Sequence, residues 1–236
     1  MPVRIMIGLN KLVIASLLLM LCVLSAQGQK KRVEDAARHS REAAEVFTEI
    51  MNVKEKSIPK ELLDKAEAIA VFPDSIKAAF IIGGKGGQGV ISRRTRGGWG
   101  APTFFNLGGA SFGAQIGATK TDYVFLIMNQ SGLDSLLKDK VELGGEAGVA
   151  AGPVGREAAA STDPRLNAGI LSYSRSKGAF IGAAIKGAVI SPDNDLNEAI
   201  YNKKAKEVLT GKPMLLNDMP ADVRIFPRTL TRYSVR

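Results

Sequence analysis

Residues 81–89 read IIGGKGGQG, and Gly84, Gly86 and Gly89 fall at the G-x-G-x-x-G spacing of a dinucleotide-binding turn. Such a turn binds anions. Its glycines let the backbone approach a pyrophosphate, and the helix that follows offers unsatisfied N–H groups. The context here differs. Gly89 leads into VISRRTRGG, which is β-branched, basic and turn-like rather than helical. The ribose-binding acid expected about 20 residues on is missing, because no Asp or Glu occurs between Asp74 and Asp122. No Gly-Lys-Ser/Thr supplies a P-loop. The sequence therefore predicts no nucleotide. It assigns Gly84, Gly86, Gly87 and Gly89 to a glycine-rich loop serving sheet curvature and close backbone approach. The N–H groups of that loop, with Lys85 beside them, retain the chemistry to meet a simple anion.

Catalytic and metal chemistry find little support. His39 is the only histidine, and no serine or carboxylate stands at a spacing that makes it part of a triad. Asp193-Asn194-Asp195 has oxygen-rich spacing but lacks the rest of a calcium loop, and reads as a turn and helix cap. Ser172, Ser174 and Ser176 read as polar positions on a strand. No catalytic residue, metal ligand set or cofactor is expected, and the chain is read as a non-enzyme.

Basic residues carry the remaining chemistry. The formal charge is +9 and the pI about 9.7, which suits an acidic partner. Residues 75–121 contain six Lys or Arg and no acid, and residues 164–192 contain four and no acid. Lys85, Arg93, Arg94, Arg96, Arg175, Lys177 and Lys186 are the candidate phosphate-binding side chains of an acidic-lipid site. Whether they share one face is not decided by spacing. Aromatics make up only 6% of the chain, too few for the base-stacking surface of a nucleic-acid binder.

Two kinds of element must position these residues. Residues 30–56 show apolar positions at spacings of three and four, mostly alanine, and predict a helix. Its basic entry Lys30-Lys31-Arg32, with Phe47, makes it a weak candidate for a membrane-facing helix. A second helix is expected over 60–67 and others near 133–138 and 194–203. Between them the texture changes, since 22 of the 25 glycines lie from Gly83 to Gly187. Strands are expected at 68–72, closed by Pro73-Asp74, and at 78–82, 89–94, 99–106, 111–116, 123–129, 147–151, 169–174 and 179–190. The fold class is α+β: a glycine-rich curved antiparallel sheet or barrel with flanking helices, including the N-terminal amphipathic one.

The N-terminus reads as an export signal. Arg4 and Lys11 precede an apolar run over 12–24, and SAQGQ offers cleavage after Ala26 or Gly28. A membrane anchor is the alternative, but the run is short of the roughly 20 residues that span a bilayer. Cleavage would remove Cys22, the only cysteine, and lower the charge from +9 to +7. The expected organisation is a signal peptide over 1–28 and one domain over 29–236, with a C-terminal extension from about 212. The expected location is outside the inner membrane: periplasmic, outer-membrane-associated or secreted.

Several motifs occur in order: Gly86 and Gly89, Trp99-x-Ala101-Pro102, Gly113-x-Gln115-x-Gly117, Ala150-Ala151-Gly152-Pro153-x-Gly155-Arg156, and Tyr173-Ser174-Arg175-Ser176-Lys177-Gly178. In this order the chain resembles the SYLF domain family over residues 36–211, as a bacterial exported member. The resemblance implies binding of phosphoinositides or other acidic lipids, without catalysis or cofactor. It also brings the actin-binding activity of fungal members, which is not expected of an exported chain. The other reading open at this point is an envelope structural or assembly protein whose basic face binds an anionic polymer or a protein partner.

Overall fold

The computed structural model describes all residues except 1–2, 54–56, 80–81, 113–116, 156–167, 177, 184, 186, 215 and 235–236, and describes side chains outside 1–26, 76–85 and 110–119 as well. Helix α1 runs Val3–Met51. From residue 36 it buries Ala36, Ala43, Phe47 and Ile50 in one stripe, the 3–4 spacing of a helix docked by one face. Alanine brings the helix axis close to its neighbours. After α2 (Lys60–Lys65), entered from Pro59, the chain begins its sheet.

The strands are β1 (Ala68–Ala79), β2 (Ile82–Thr95), β3 (Gly98–Trp99), β4 (Thr103–Phe112), β5 (Gly117–Ile127), β6 (Val141–Leu143), β7 (Val149–Ala151), β8 (Ile170–Ser176), β9 (Ala179–Gly182) and β10 (Ala188–Pro192). They form one sheet in the order β6-β10-β4-β2-β1-β5-β8-β7, with β3 beside β2 and β9 beside β8. The sheet curls into a nearly closed barrel. Among the described residues every pairing between these strands is antiparallel except that of β7 with β8, so the sheet is mixed.

Both faces of this sheet are buried, and period-two alternation divides them. Ile69 and Val71 of β1 join Val90, Phe104, Val124, Leu126 and Tyr173 under α1 and the C-terminal helices. Ala68, Ala70 and Phe72 join Ile91, Phe105, Phe125 and Ile127 on the inner side. The inner side is filled by these side chains along the described part of the strands.

Three expectations need correction. Pro73-Asp74 does not close a strand: β1 continues to Ala79 through a bulge, where its register against β5 shifts between Phe72 and Ser75. A bulge admits the proline that a regular central ladder excludes. Asp74 takes φ 44° there, and its N–H donates to Asp122 Oδ1 at 2.8 Å. Second, Gly84, Gly86, Gly87 and Gly89 do not form a loop. They lie within β2, register-paired with β4 on one side, and Gly84 and Gly86 also with β1. Third, the segment from 212 is not an appendage. The 3-10 turn Ala221–Val223 and α6 (Ile225–Tyr233) bury Val223, Phe226 and Leu230 in the core shared with α1. Helices α3 (Gln130–Leu136), α4 (Asn194–Tyr201) and α5 (Ala205–Thr210) complete the fold. Asp193 caps α4, accepting from Leu196 N at 3.0 Å, as its spacing predicts.

Candidate functional site

A cleft of about 600 Å³ opens where the β2–β3 turn meets the segment after α5. Arg93, Arg94, Thr95 and Arg96 line one side, and Val208, Leu209, Pro213 and Met214 line the other, with Glu67 and Ala101 between. The size is that of a small-molecule or head-group site. Three of the seven basic residues singled out from the sequence thus meet at one cavity, for which the end of β2 and the turn after it supply the cations and α5 with its exit supplies the apolar wall.

The three arginines do different jobs. Arg94 is buried. Its Nε donates to Ala66 O at 2.9 Å, and its Nη2 to Leu63 O at 2.6 Å and Ser234 Oγ at 2.7 Å. Its guanidinium lies over the Trp99 ring. Placing Arg94 on a shared cationic surface is therefore corrected: successive strand residues point to opposite faces, and Arg94 points into the layer that packs α2 and the C-terminal end against the sheet. Arg93 is half-buried, and its Nη1 donates to Leu209 O at 3.0 Å, tying the cleft's two walls together. Arg96, past the strand end, is exposed and has no hydrogen-bond or ion-pair partner among the described residues.

The other candidates lie elsewhere. Arg175 on β8 pairs with Asp122 of β5 at 2.8 Å and with Glu49 of α1. It is a cross-brace with its charge already matched. Lys85 occupies β2 opposite Lys77 in register, outside the described side chains, and Lys177 and Lys186 lie outside the described residues. On α1, Lys30 and Lys31 are exposed, and Arg32 donates to Asp195 O at 2.8 Å. Phe47 does not face a membrane: it is fully buried and packs edge-on against Tyr233, ring centres 5.8 Å apart. His39 is buried on α1 beside Arg38 and Glu42. Burial, with the neighbouring Arg38 charge, holds its pKa below the ordinary histidine value.

The sequence profile described as "Las17-binding protein actin regulator" (Ysc84) matches residues 108–233, slightly over half of the chain. The chain belongs to this family. This Ysc84-family chain is 37% identical over 161 residues to LAS seventeen-binding protein 3 of Saccharomyces cerevisiae, which covers 66% of the chain and 35% of the relative. It is 35% identical to Protein YSC84 of the same yeast over 161 residues, 66% of the chain and 34% of the relative. It is 30% identical to SH3 domain-containing YSC84-like protein 1 of Homo sapiens over 186 residues, 77% of the chain and 54% of the relative. The chain thus spans about a third of the yeast relatives and about half of the human one.

One part of the site is not visible in the sequence: the apolar wall comes from α5 and its exit, which has no strong apolar period. Outside the cleft, Arg224, Arg228 and Arg232 recur every fourth residue near the C-terminus, a spacing that signals one face of a helix.

Proposed function

We propose that this Ysc84-family chain is a non-enzymatic binding module that is exported and engages acidic lipid at a membrane surface. The observation that carries the reading is Arg96, exposed and without an ion-pair partner among the described residues, at the rim of a cleft whose far wall is Val208, Leu209, Pro213 and Met214. An anionic head group and adjoining apolar atoms meet complementary chemistry there, and near an anionic leaflet a well-placed arginine contributes on the order of 1 kcal/mol. Arg93 supports the rim, whereas Arg94 and Arg175 are withdrawn from the contact set because their partners lie within the protein. Cleavage after Ala26 or Gly28 belongs to this reading, and intact-mass measurement of envelope-fraction protein tests it.

Vesicle sedimentation tests the lipid reading. Vesicles containing phosphatidylglycerol should bind more than pure phosphatidylcholine, with binding that weakens as salt rises, since exposed charges are screened beyond roughly 8 Å at physiological ionic strength. Exchanging Arg93 and Arg96 for Gln should weaken binding with the fold intact. Equal binding to neutral vesicles, or an unaffected double variant in both low and high salt, overturns the assignment. A second reading draws on the names of the yeast relatives, which denote binding to a protein. Those names belong to proteins about three times the length matched here, and an exported chain would not meet actin. Under that reading the basic surface serves an envelope partner or an anionic polymer.

A further inference from the structure

We propose that the outer arc of α6, joined by Arg96 at the neighbouring turn, is the face that docks the protein on an anionic bilayer and brings the mouth of the cleft to that surface. This rests on the lipid reading above and adds the residues that orient the molecule.

Helix α6 buries Phe226, Pro227, Thr229 and Leu230. At about 100° per residue, Ile225, Arg228, Thr231 and Arg232 fall on the opposite arc, and all four are exposed. Arg228 and Arg232 have no ion-pair or hydrogen-bond partner for their side chains among the described residues, and no Asp or Glu follows Asp222 in the sequence. Ile225, 40% exposed, is one of three exposed large hydrophobics among the described residues. Arg224 is excluded from the contact set, because its Nε and Nη2 donate to Met219 O and Asn217 O at 2.7 Å each.

The arc is continuous with the cleft. Gly98, the first residue of β3, sits at φ +117°, and a Cβ built there would lie 3.5 Å from Thr231 Oγ1. The start of β3 therefore rests against α6 beside the arc, and Arg96, two residues earlier in the β2–β3 turn, lines the cleft. The resulting surface offers three arginines and one isoleucine. A stable protein interface needs a sizeable apolar core, which this arc lacks. A bilayer asks only for cations at the phosphate level and an apolar tip.

The test uses the full chain with Cys22→Ser and Ile225→Cys, labelled with a polarity-sensitive fluorophore, because a local reporter reads the α6 face however the rest of the chain attaches. Vesicles of phosphatidylcholine with about one-third phosphatidylglycerol should give a blue shift that pure phosphatidylcholine does not, reversed by high salt. Adding Arg228→Gln and Arg232→Gln should weaken the midpoint at least tenfold, while Lys140→Gln with Lys203→Gln, which removes the same charge elsewhere, should change it less than twofold. A thermal melt matching the parent's shows that the fold is retained. If anionic vesicles sediment the protein but the shift is absent or survives the double arginine exchange, this face is wrong and the lipid reading stands. If the protein does not distinguish anionic from neutral vesicles, both fail. If soluble polyphosphate gives the same shift at matched charge, the face recognises a polyanion and the bilayer proposal is overturned.

Discussion

The Arg94 guanidinium carbon lies 4.1 Å from the centre of the Trp99 ring. The same side chain is held by two backbone carbonyls and Ser234, and Ser234 Oγ in turn donates to Asp64 Oδ1 at 2.9 Å. A cation in this setting is structural. Arg94→Gln should cost about 3 kcal/mol, the typical loss when one member of a buried charged network is removed. Arg96→Gln should change stability by under about 0.5 kcal/mol. Urea midpoints of the two variants check the contrast, and similar losses would mean that Arg94 is not locked in place.

Two glycines of the fingerprint-like stretch should also separate. A Cβ at Gly89 would run into the Val71 carbonyl oxygen and the Phe72 ring, whereas one at Gly86 meets nothing within 4 Å. Gly89→Ala should therefore destabilise by roughly 2 kcal/mol or more, an overpacking cost, and Gly86→Ala by far less. Thermal melts of both decide it. Neither protein should show saturable binding of NAD or ATP by calorimetry, because these glycines sit within a β-strand.

The pH dependence follows from His39. Burial, with Arg38 beside it, lowers its pKa in the folded protein. The neighbouring acids Glu42, Asp35 and Asp193 pull the other way without overcoming this. The unfolded chain then binds a proton more readily below the ordinary histidine pKa of about 6.5. The contribution is fully present above that pH and is lost as pH falls toward the lowered folded value. His39→Gln should flatten the stability profile in this window, measured as urea midpoints between about pH 4.5 and 7.5. An unchanged slope would show that His39 does not titrate differently on folding.

Arg175 braces α1 to the sheet through Glu49 and Asp122, while Asp122 also anchors the Asp74 amide in the bulge. Glu49 is exposed, so Glu49→Gln should cost no more than about 1 kcal/mol. Asp122→Asn should cost more, about 2–3 kcal/mol, because it weakens an ion pair and a bulge anchor together. Chemical denaturation of the single variants tests the order, and a reversed order would place the brace at α1 instead of the bulge.

Much of this architecture is written in local patterns. The 3–4 alanine spacing of α1 is legible because burial on one side imposes that period, and the continuous apolar run of β5 because that strand is buried on both faces. Pro73-Asp74 misled because its usual role is to end a strand, and only pairing on both sides shows a bulge. Arg93 and Arg94 are adjacent on a strand and cannot share a face, so one of them must turn away from any common cationic surface. The cleft was illegible, because its walls come from positions more than 100 residues apart. The stripe on α6 was visible as arginines spaced by four, but its outward direction depends on the packing of Phe226 and Leu230.

Ser234 has a consequence for how the chain becomes a folded protein. Its carbonyl accepts from Trp99 Nε1 at 3.3 Å, and its hydroxyl completes the Arg94 network, while α6 and α1 form a seam between the two ends of the described fold. The layer that covers the outer face of the sheet therefore closes only after residue 234 has been synthesised and has cleared the ribosome. Folding must wait for contacts of very long sequence separation, which slows the reaction and keeps apolar surface open in the nascent chain. A truncation just before Ser234 would take one hydrogen-bond partner from the buried Arg94 and the acceptor from Trp99 Nε1 at once, so premature stops there should be more damaging than the peripheral position of the residue suggests.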